Sequence, residues 1–296
     1  MQHTYFKRFS FLAALLLIGS YSQAQSLVSG FMVGKGHGSV SFTGTAEKYR
    51  NVYLVPEKVK DVPIFNEIRV SSVSVYANYG ISNKVEAVVS LPYIRSEGKA
   101  TDKVLQDLGY TNVRQGLQDL SVLFKFKTAT VEVGSSVLDL LGVVGASTPA
   151  SNYQSNTGLE YIIAIGNRAT KLNTLGIAHL KTPSGVFLTG QAGYSVRTGL
   201  VPNAFIADAK VGYAGLKLYA EGWASFQQSA SSGTDILLTG FDGNFTATRV
   251  NYTRIGASVF KPIAQGFGVV LGGSQYISGR NLGKSTGVSL GVSYNY

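Results

Sequence analysis

The sequence contains no cysteine, which excludes a disulfide framework, a thiolate metal site and a lipid-anchored cysteine. Charged residues are also scarce, at 14% of 296 residues, and no uncharged run of about eighteen apolar residues follows the first 24 positions. A membrane-spanning helix is therefore not predicted. What is abundant is glycine, with 35 residues, together with 17 tyrosines and 15 phenylalanines. This composition favours an all-β protein.

Residues 1–24 have the organisation of a secretory signal peptide. Lys7 and Arg8 precede an uncharged stretch at 11–19, and the small-residue site Ser22-Gln23-Ala24 follows it. The uncharged stretch is too short to cross a bilayer as a helix, so an N-terminal membrane anchor is the weaker alternative. We predict export, cleavage after Ala24 and one domain over residues 25–296.

The basic excess does not indicate nucleic-acid binding. Loss of the two cations in the signal lowers the formal net charge only from +10 to +8. The remaining Lys and Arg residues are scattered singly between apolar and small residues, without a dense basic run. Two readings stay open for this excess, namely ordinary solvated charge and a lumen that favours anions.

Apolar and polar residues alternate with period two along much of the chain. In residues 72–79, Val73 and Val75 alternate with Ser72 and Ser74, and the same pattern recurs in the segments 85–93, 119–127, 186–196, 205–213 and 216–226. Short links at 80–83, 182–185, 214–215 and 262–266 alternate with long polar links at 50–67, 96–116, 148–168 and 229–248. A soluble sandwich would share the alternation, but short turns opposite long loops favour a transmembrane barrel.

These patterns predict an all-β fold, a transmembrane up-and-down antiparallel β-barrel of about twelve strands. The predicted strands are 37–48, 69–79, 84–94, 117–126, 137–147, 170–181, 186–197, 204–213, 216–226, 249–260, 267–278 and 286–296. Ten or fourteen strands remain alternatives, because residues 159–166 have the composition of a further strand. An even count places both termini on the periplasmic side.

Aromatic residues and the C-terminus support the same fold. Aromatic side chains fall at the ends of the predicted strands, as expected for the two interfacial girdles of a barrel: Tyr79, Phe126, Tyr213 and Phe267 beside short turns, Tyr93 and Phe226 at the opposite ends. The last strand carries one apolar face, formed by Val288, Leu290, Val292, Tyr294 and Tyr296. This face resembles the terminal assembly signal that the barrel-insertion machinery reads; an ordinary final strand is the alternative.

Two segments carry a resemblance to a known family. They are Tyr79-Gly80-Ile81-Ser82-Asn83-Lys84-Val85-Glu86 through Ser90-Leu91-Pro92-Tyr93, and Gly116-Leu117-Gln118-Asp119-Leu120-Ser121. They are similar to the meta-pathway phenol-degradation family of outer-membrane proteins, a family of transporters. Gln118 stands where the family's usual Gly-x-Gly-Asp has its second glycine. The resemblance implies an outer-membrane channel, with aromatic or other hydrophobic compounds as one class of solute.

Several tempting catalytic patterns do not predict an enzyme. Residues 287–291 fit Gly-x-Ser-x-Gly but lie inside the alternating last strand, whereas that nucleophile motif needs a strand-to-helix turn. His37 and His179 have no second ligand at metal spacing, and no helix follows Gly30, Gly34, Gly36 and Gly38 as a phosphate loop requires. These glycines predict a flexible lead into the first strand. No cofactor and no metal are predicted.

Charged residues on the polar faces of the strands are the candidate lumen-facing set: Glu86, Asp119, Lys125, Asp208, Lys210, Lys217, Glu221 and Arg254. A cation on the lipid side would cost about 2–4 kcal/mol at mid-membrane, so these side chains are expected to face inward. They either line a path for solutes or pair with one another and fill the interior. The sequence thus predicts passive passage of small molecules across the outer membrane; the alternative is a non-conducting structural or surface-binding barrel. The expected partners are outer-membrane lipids and the insertion machinery.

Overall fold

The structure is a computed structural model that describes residues 27–62 and 64–296. The predicted signal peptide, residues 1–24, lies outside these described residues. Within them, no helix is long and apolar enough to cross a membrane.

Antiparallel strands dominate the chain. The strands are β1 (Gly38–Tyr49), β2 (Asn51–Tyr53), β3 (Lys60–Asp61), β4 (Glu67–Ser82), β5 (Val85–Lys99), β6 (Val113–Leu117), β7 (Asp119–Val133), β8 (Ser136–Pro149), β9 (Lys171–Lys181), β10 (Val186–Arg197), β11 (Ala204–Ala214), β12 (Tyr219–Ser229), β13 (Asn251–Ala264), β14 (Phe267–Arg280), β15 (Leu282–Gly283) and β16 (Thr286–Asn295). A short helix, α1 (Asp102–Leu108), and the 3-10 segments Gly158–Ile163 and Phe245–Ala247 lie in the connections.

Consecutive strands pair with one another around a closed barrel. Twelve positions make up the wall, because β6 and β7 form one interrupted strand beside β5, while β2, β3 and β15 form a small separate sheet. The barrel closes where β1 pairs with both β4 and β16, so that Phe42 lies opposite Val75 on one side and Val292 on the other. A closed sheet satisfies every backbone hydrogen bond within the wall, as a lipid environment requires.

Short turns lie at one end of the barrel and long loops at the other. The turns at 83–84, 134–135, 182–185, 215–218 and 265–266 join strands at the short-turn end, where both β1 begins and β16 ends. The connections 50–66, 100–112, 150–170 and 230–250 lie at the long-loop end. The predicted alternation of turn lengths is therefore confirmed.

The alternating residues divide between the two faces of the wall. Outward side chains are apolar and well exposed, for example Val75 at 36%, Val122 at 37% and Val211 at 57%, whereas Ser72 and Ser74 on the inner face are buried. An apolar outer face and a polar inner face are the arrangement expected of a barrel in a bilayer.

All twelve predicted strands are present, and the differences lie at their ends. Residues 159–166 do not form a further strand, because 158–163 fold as a 3-10 segment in a long loop. The strand predicted at 216–226 starts instead at Tyr219. The turn before it needs four residues, closed by a hydrogen bond from the Gly215 backbone N–H to the Leu218 carbonyl, and Leu216 is 99% exposed there.

Candidate functional site

A segment that precedes the first strand occupies the lumen at the short-turn end. We call residues 27–37 the plug: residues 27–34 are buried or half-buried inside the barrel, and residues 35–37 are exposed where the chain leaves it. Val28 is only 2% exposed. It packs on an apolar patch of the inner wall formed by Val88, Leu123, Leu141, Val143, Leu175 and Ile177. The glycine-rich lead into the first strand is thus a packed element and not a loose one.

A buried ion pair on the wall holds the backbone of the plug. The Lys125 Nζ lies 3.0 Å from the Glu86 Oε1, and both side chains are fully buried. The same Nζ donates to the carbonyl oxygens of Ser29 at 2.9 Å and Phe31 at 2.6 Å. The Glu86 Oε2 accepts a hydrogen bond from the Val33 backbone N–H at 3.0 Å. Each charge therefore serves both its partner and the plug.

The plug fits the wall closely on its other side. A Cβ atom added to Gly30 would lie 2.5 Å from the His179 Nδ1, so only glycine allows this approach. The Phe31 ring meets the His179 ring edge-on at 4.2 Å and the Phe187 ring at 5.1 Å between centroids. Close contacts on both sides indicate that the plug has one defined position.

Backbone hydrogen bonds fix the plug where it leaves the lumen. The Gly36 N–H donates to the Gly80 carbonyl and the Gly80 N–H donates to the His37 carbonyl, both at 2.9 Å. A Cβ atom on Gly80 would lie 1.7 Å from the Gly34 carbonyl oxygen, so this crossing also requires glycine. Residues 34–37 are therefore tied to the turn-proximal end of β4.

Beyond the plug, the lumen contains a cavity of about 490 Å³. It extends from Val28 and Ser29 of the plug to Arg197 and Gln227 towards the long-loop end. Hydroxyl side chains cover much of its wall, including Thr43, Ser72, Ser74, Ser121, Ser147 and Ser195. Space of this kind is expected inside a twelve-stranded barrel, because side chains alone fill only the narrower eight-stranded kind.

Most charged side chains on the inner wall are paired with an opposite charge from another strand. Lys171 lies 2.7 Å from Asp119 and Arg254 lies 2.7 Å from Glu47, both across intervening strands, and Lys210 lies 3.8 Å from Glu221 on the adjacent strand. Asp139 is held between Lys127 at 3.2 Å and Lys181 at 2.5 Å. Ladders of opposite charge make the lumen polar without giving it a large local excess of one sign.

The structure places seven of the eight sequence-predicted lumen residues on the inner side of the wall. Glu86, Asp119, Lys125, Glu221 and Arg254 are buried there, and Asp208 and Lys210 line the cavity. Lys217 is different: it is exposed in the turn between β11 and β12, because that turn extends to residue 218. The assignment of Lys217 to the lumen was wrong for this reason.

Sequence reasoning missed the plug, the apolar patch and several paired charges. Val88 and Leu123 interrupt the polar parity of their strands, and they lie opposite one another in the wall. Two apolar residues at inward positions of adjacent strands are a signal that something apolar packs on them. Glu47 also stands at an inward position of β1, where it accepts from Arg254.

The long loops fold over the other end of the barrel. Arg280 donates to both oxygens of Asp235 at 2.6 Å, and the Asn281 side chain donates to the same carboxylate at 2.9 Å. These hydrogen bonds hold the pKa of Asp235 below its usual range, chiefly through Arg280. In a neighbouring loop, burial raises the pKa of Tyr161 to about 12. Charge and burial therefore order the loops above the cavity.

Solved structures share this architecture. An outer membrane channel from Pseudomonas putida F1 overlays with a TM-score of 0.67 and 11% identity, covering 93% of this chain and 100% of that one. The overlay supports the fold of this chain as a closed, twelve-stranded antiparallel β-barrel of the outer-membrane kind. At this identity the likeness concerns the fold alone.

Other solved barrels overlay less well. The translocator domain of the autotransporter NalP from Neisseria meningitidis gives a TM-score of 0.45 at 13% identity, covering 99% of this chain and 95% of that domain. Outer membrane phospholipase A from Escherichia coli gives 0.40 at 7% identity, covering 92% and 94%. Overlays at these scores carry no argument about function. No known protein family matches the sequence, and no curated protein matches it either.

The sequence patterns that resemble catalytic motifs lie in ordinary structural positions of the barrel. Ser289 of the Gly-x-Ser-x-Gly pattern lies in the middle of β16, opposite Gly272 and Thr45, and no helix follows it. Within the described part of the chain, no group of three His, Asp or Glu side chains is arranged to hold a metal ion.

Proposed function

We propose that this protein is an outer-membrane channel through which small molecules pass passively. The observation that carries the proposal is the cavity of about 490 Å³ inside a closed barrel whose inner wall is polar. A wall of hydroxyls and paired charges holds water and polar solutes, as the lumen of a channel requires.

The plug makes this a restricted channel. Residues 27–37 fill the short-turn end, so passage requires the plug to shift, and the folded long loops supply a second restriction at the other end. β1 begins and β16 ends at the short-turn end, which is the periplasmic side in bacterial barrels. The plug would then act from the periplasm and the loops from outside the cell.

The proposal includes export of the chain by a signal peptide, its location in the outer membrane and the class of solute that it passes. A signal peptide at residues 1–24 would direct export of the chain to the insertion machinery and then be removed. The outward aromatic and aliphatic side chains suit outer-membrane lipids. The sequence resemblance adds aromatic or other hydrophobic compounds as one class of solute. The polar wall supports organic anions and sugars as competing classes, so a test has to include all three.

Planar-bilayer recording and liposome swelling with purified protein test the proposal. We expect discrete conductance steps, and swelling rates that differ between aromatic compounds, sugars and organic anions of equal size. Liposomes containing heat-denatured protein are the control. Absence of both conductance and swelling would refute the channel function.

A non-conducting barrel with a structural or surface-binding role is the second candidate. The observation in its favour is the plug itself, whose buried ion pair and apolar contacts close one end of the lumen. Recordings before and after deletion of residues 27–33 separate the two candidates. A channel whose plug shifts should conduct with the plug present, whereas a structural barrel should conduct only after the deletion.

A further inference from the structure

Arg197 differs from the other cations of the inner wall. Lys125, Lys171, Lys210 and Arg254 each lie within 4.0 Å of a carboxylate. Arg197 lines the same cavity but, among the residues that the structure describes, no carboxylate lies within that distance of it. Its charge is therefore balanced by no side chain of the wall.

Neighbouring side chains hold the Arg197 guanidinium in one orientation. Its Nε donates to the Ser195 Oγ at 3.3 Å, and its Nη2 donates to the Gln227 Oε1 at 2.8 Å. No acceptor contacts the Nη1 within the described residues. The group is thus fixed on one side by neutral acceptors and keeps donor capacity towards the cavity, as in sites that bind carboxylates.

The two ends of the cavity differ in charge because of the position of Arg197. Arg197 ends β10 beside the long loops, whereas Asp208, a lining carboxylate that accepts from Gln191 and Ser225, lies deeper in the barrel. The registers of β9, β10 and β11 separate the two residues by six positions, or roughly 20 Å along the strands. An anion arriving from the loop end therefore meets the unbalanced cation first.

We propose that Arg197 forms a binding site in the lumen for small organic anions that carry a carboxylate, and that hydroxylated carboxylates fit it best. The guanidinium supplies charge-assisted hydrogen bonds to the carboxylate. The serine and threonine side chains of the same cavity, such as Ser72, Ser90 and Ser121, supply partners for hydroxyl groups. A cavity of about 490 Å³ has room for a molecule of the size of a sugar acid.

This inference rests on the proposed channel function for its meaning, but its test does not need a current. Isothermal titration calorimetry of the refolded barrel measures ligand binding directly. The probe is sodium glucuronate, and glucose is the neutral molecule of matched size.

We expect glucuronate to bind with a saturable heat of binding and glucose to give none. Arg197→Gln should weaken the apparent affinity for glucuronate by about 10-fold or more, because a charge-assisted hydrogen bond is lost. Arg197→Lys, which keeps the charge without the planar fork, should fall between the two. Lys127→Gln is the matched control: it removes a wall cation near the short-turn end, and its partner Asp139 keeps Lys181.

Heat-modifiable electrophoretic mobility establishes that each variant is folded. An equal response to glucose, or an unweakened response in folded Arg197→Gln, would overturn the site. Conductance without glucuronate binding would also overturn it and leave the channel function standing. Saturable binding without conductance would support the site and refute the channel.

Discussion

The contact between the plug and the Lys125–Glu86 pair offers the sharpest test of how the lumen opens. Lys125→Met keeps much of the aliphatic stem but removes the ammonium group. Two hydrogen bonds to the carbonyls of Ser29 and Phe31 are lost, and Glu86 is left buried without its cation. We expect the plug to leave the lumen, because withdrawal lets water reach the Glu86 carboxylate.

The size of the effect follows from the burial of the pair. Removing one member of a fully buried ion pair typically costs about 3–5 kcal/mol. Most of that cost falls on the plugged state, since Glu86 is hydrated once the plug has left. A shift of this size changes the ratio of open to plugged barrels by roughly two to three and a half powers of ten.

Two measurements follow the plug in this variant. Single-channel recording should show higher conductance or a larger open fraction in Lys125→Met than in the wild type. Because the chain contains no cysteine, Val28→Cys provides a single labelling site. Val28 is 2% exposed, so its reaction with a membrane-impermeant maleimide should be slow in the otherwise wild-type barrel and fast when Lys125→Met is added.

Two further variants decide whether the reasoning holds. Lys127→Gln, two positions along β7, should behave as the wild type, because Lys127 pairs with Asp139 and not with the plug. The double variant Lys125→Met, Glu86→Gln should open less than Lys125→Met alone, since no buried charge is left without a partner. Equal labelling and equal conductance of folded Lys125→Met and wild type would refute the proposed role of the pair.

Three other predictions concern the wall, assembly and the loops. Val75→Arg and Val122→Arg should impair membrane insertion by about 2–4 kcal/mol at mid-membrane, whereas Ser74→Arg and Ser121→Arg on the inner face should insert, as heat-modifiable mobility would show. Equal insertion of both sets would reverse the assignment of the faces. Deletion of Tyr296 should sharply reduce folded protein in the outer membrane, and Asn295→Ser should not; normal levels in the deletion strain would count against the assembly signal. The pKa of Asp235 is lowered, so its hydrogen bonds stabilise the folded loop fully at pH values above the usual pKa of a carboxyl group. That stabilisation is lost as the pH falls through the lowered pKa of Asp235. Pepsin should cleave within residues 230–250 faster in Asp235→Asn than in the wild type, and the ratio of the two rates should fall towards one as the pH drops below about 4. A ratio independent of pH would contradict this account.

The sequence was informative about the wall because a membrane constrains each wall position in the same way. Each outward residue must be apolar and each turn at the short end must be tight, so the parity of Val73 and Val75 and the turn after Ser82 could be interpreted locally. Strand ends were less predictable, as the start of β12 at Tyr219 shows. A turn of two residues and one of four leave similar patterns in sequence.

The lumen was less predictable because its contacts join residues far apart in the chain. Lys125 meets Ser29 across 96 positions, and Arg254 meets Glu47 across 207. Parity indicates that a charged residue faces inward, but it does not identify the partner. For the same reason, the sequence does not show that Arg197 lacks a nearby carboxylate. That absence becomes visible only when the neighbouring strands are placed.

The plug and the wall satisfy each other's polar groups, and this bears on how the lumen opens. In the plugged state, Lys125 and Glu86 pair with the backbone of Ser29, Phe31 and Val33, so that few of these groups lack a partner. After withdrawal, water can take every one of these places, so the net contribution of each of these charged hydrogen bonds is limited to about 1.5–3 kcal/mol. Exposure of Val28 and its apolar patch has no such replacement and costs about 1.5–3 kcal/mol for Val28 alone. The hydrogen bonds and the apolar contact therefore both favour the closed arrangement, and the hydrogen bonds also fix where the plug sits.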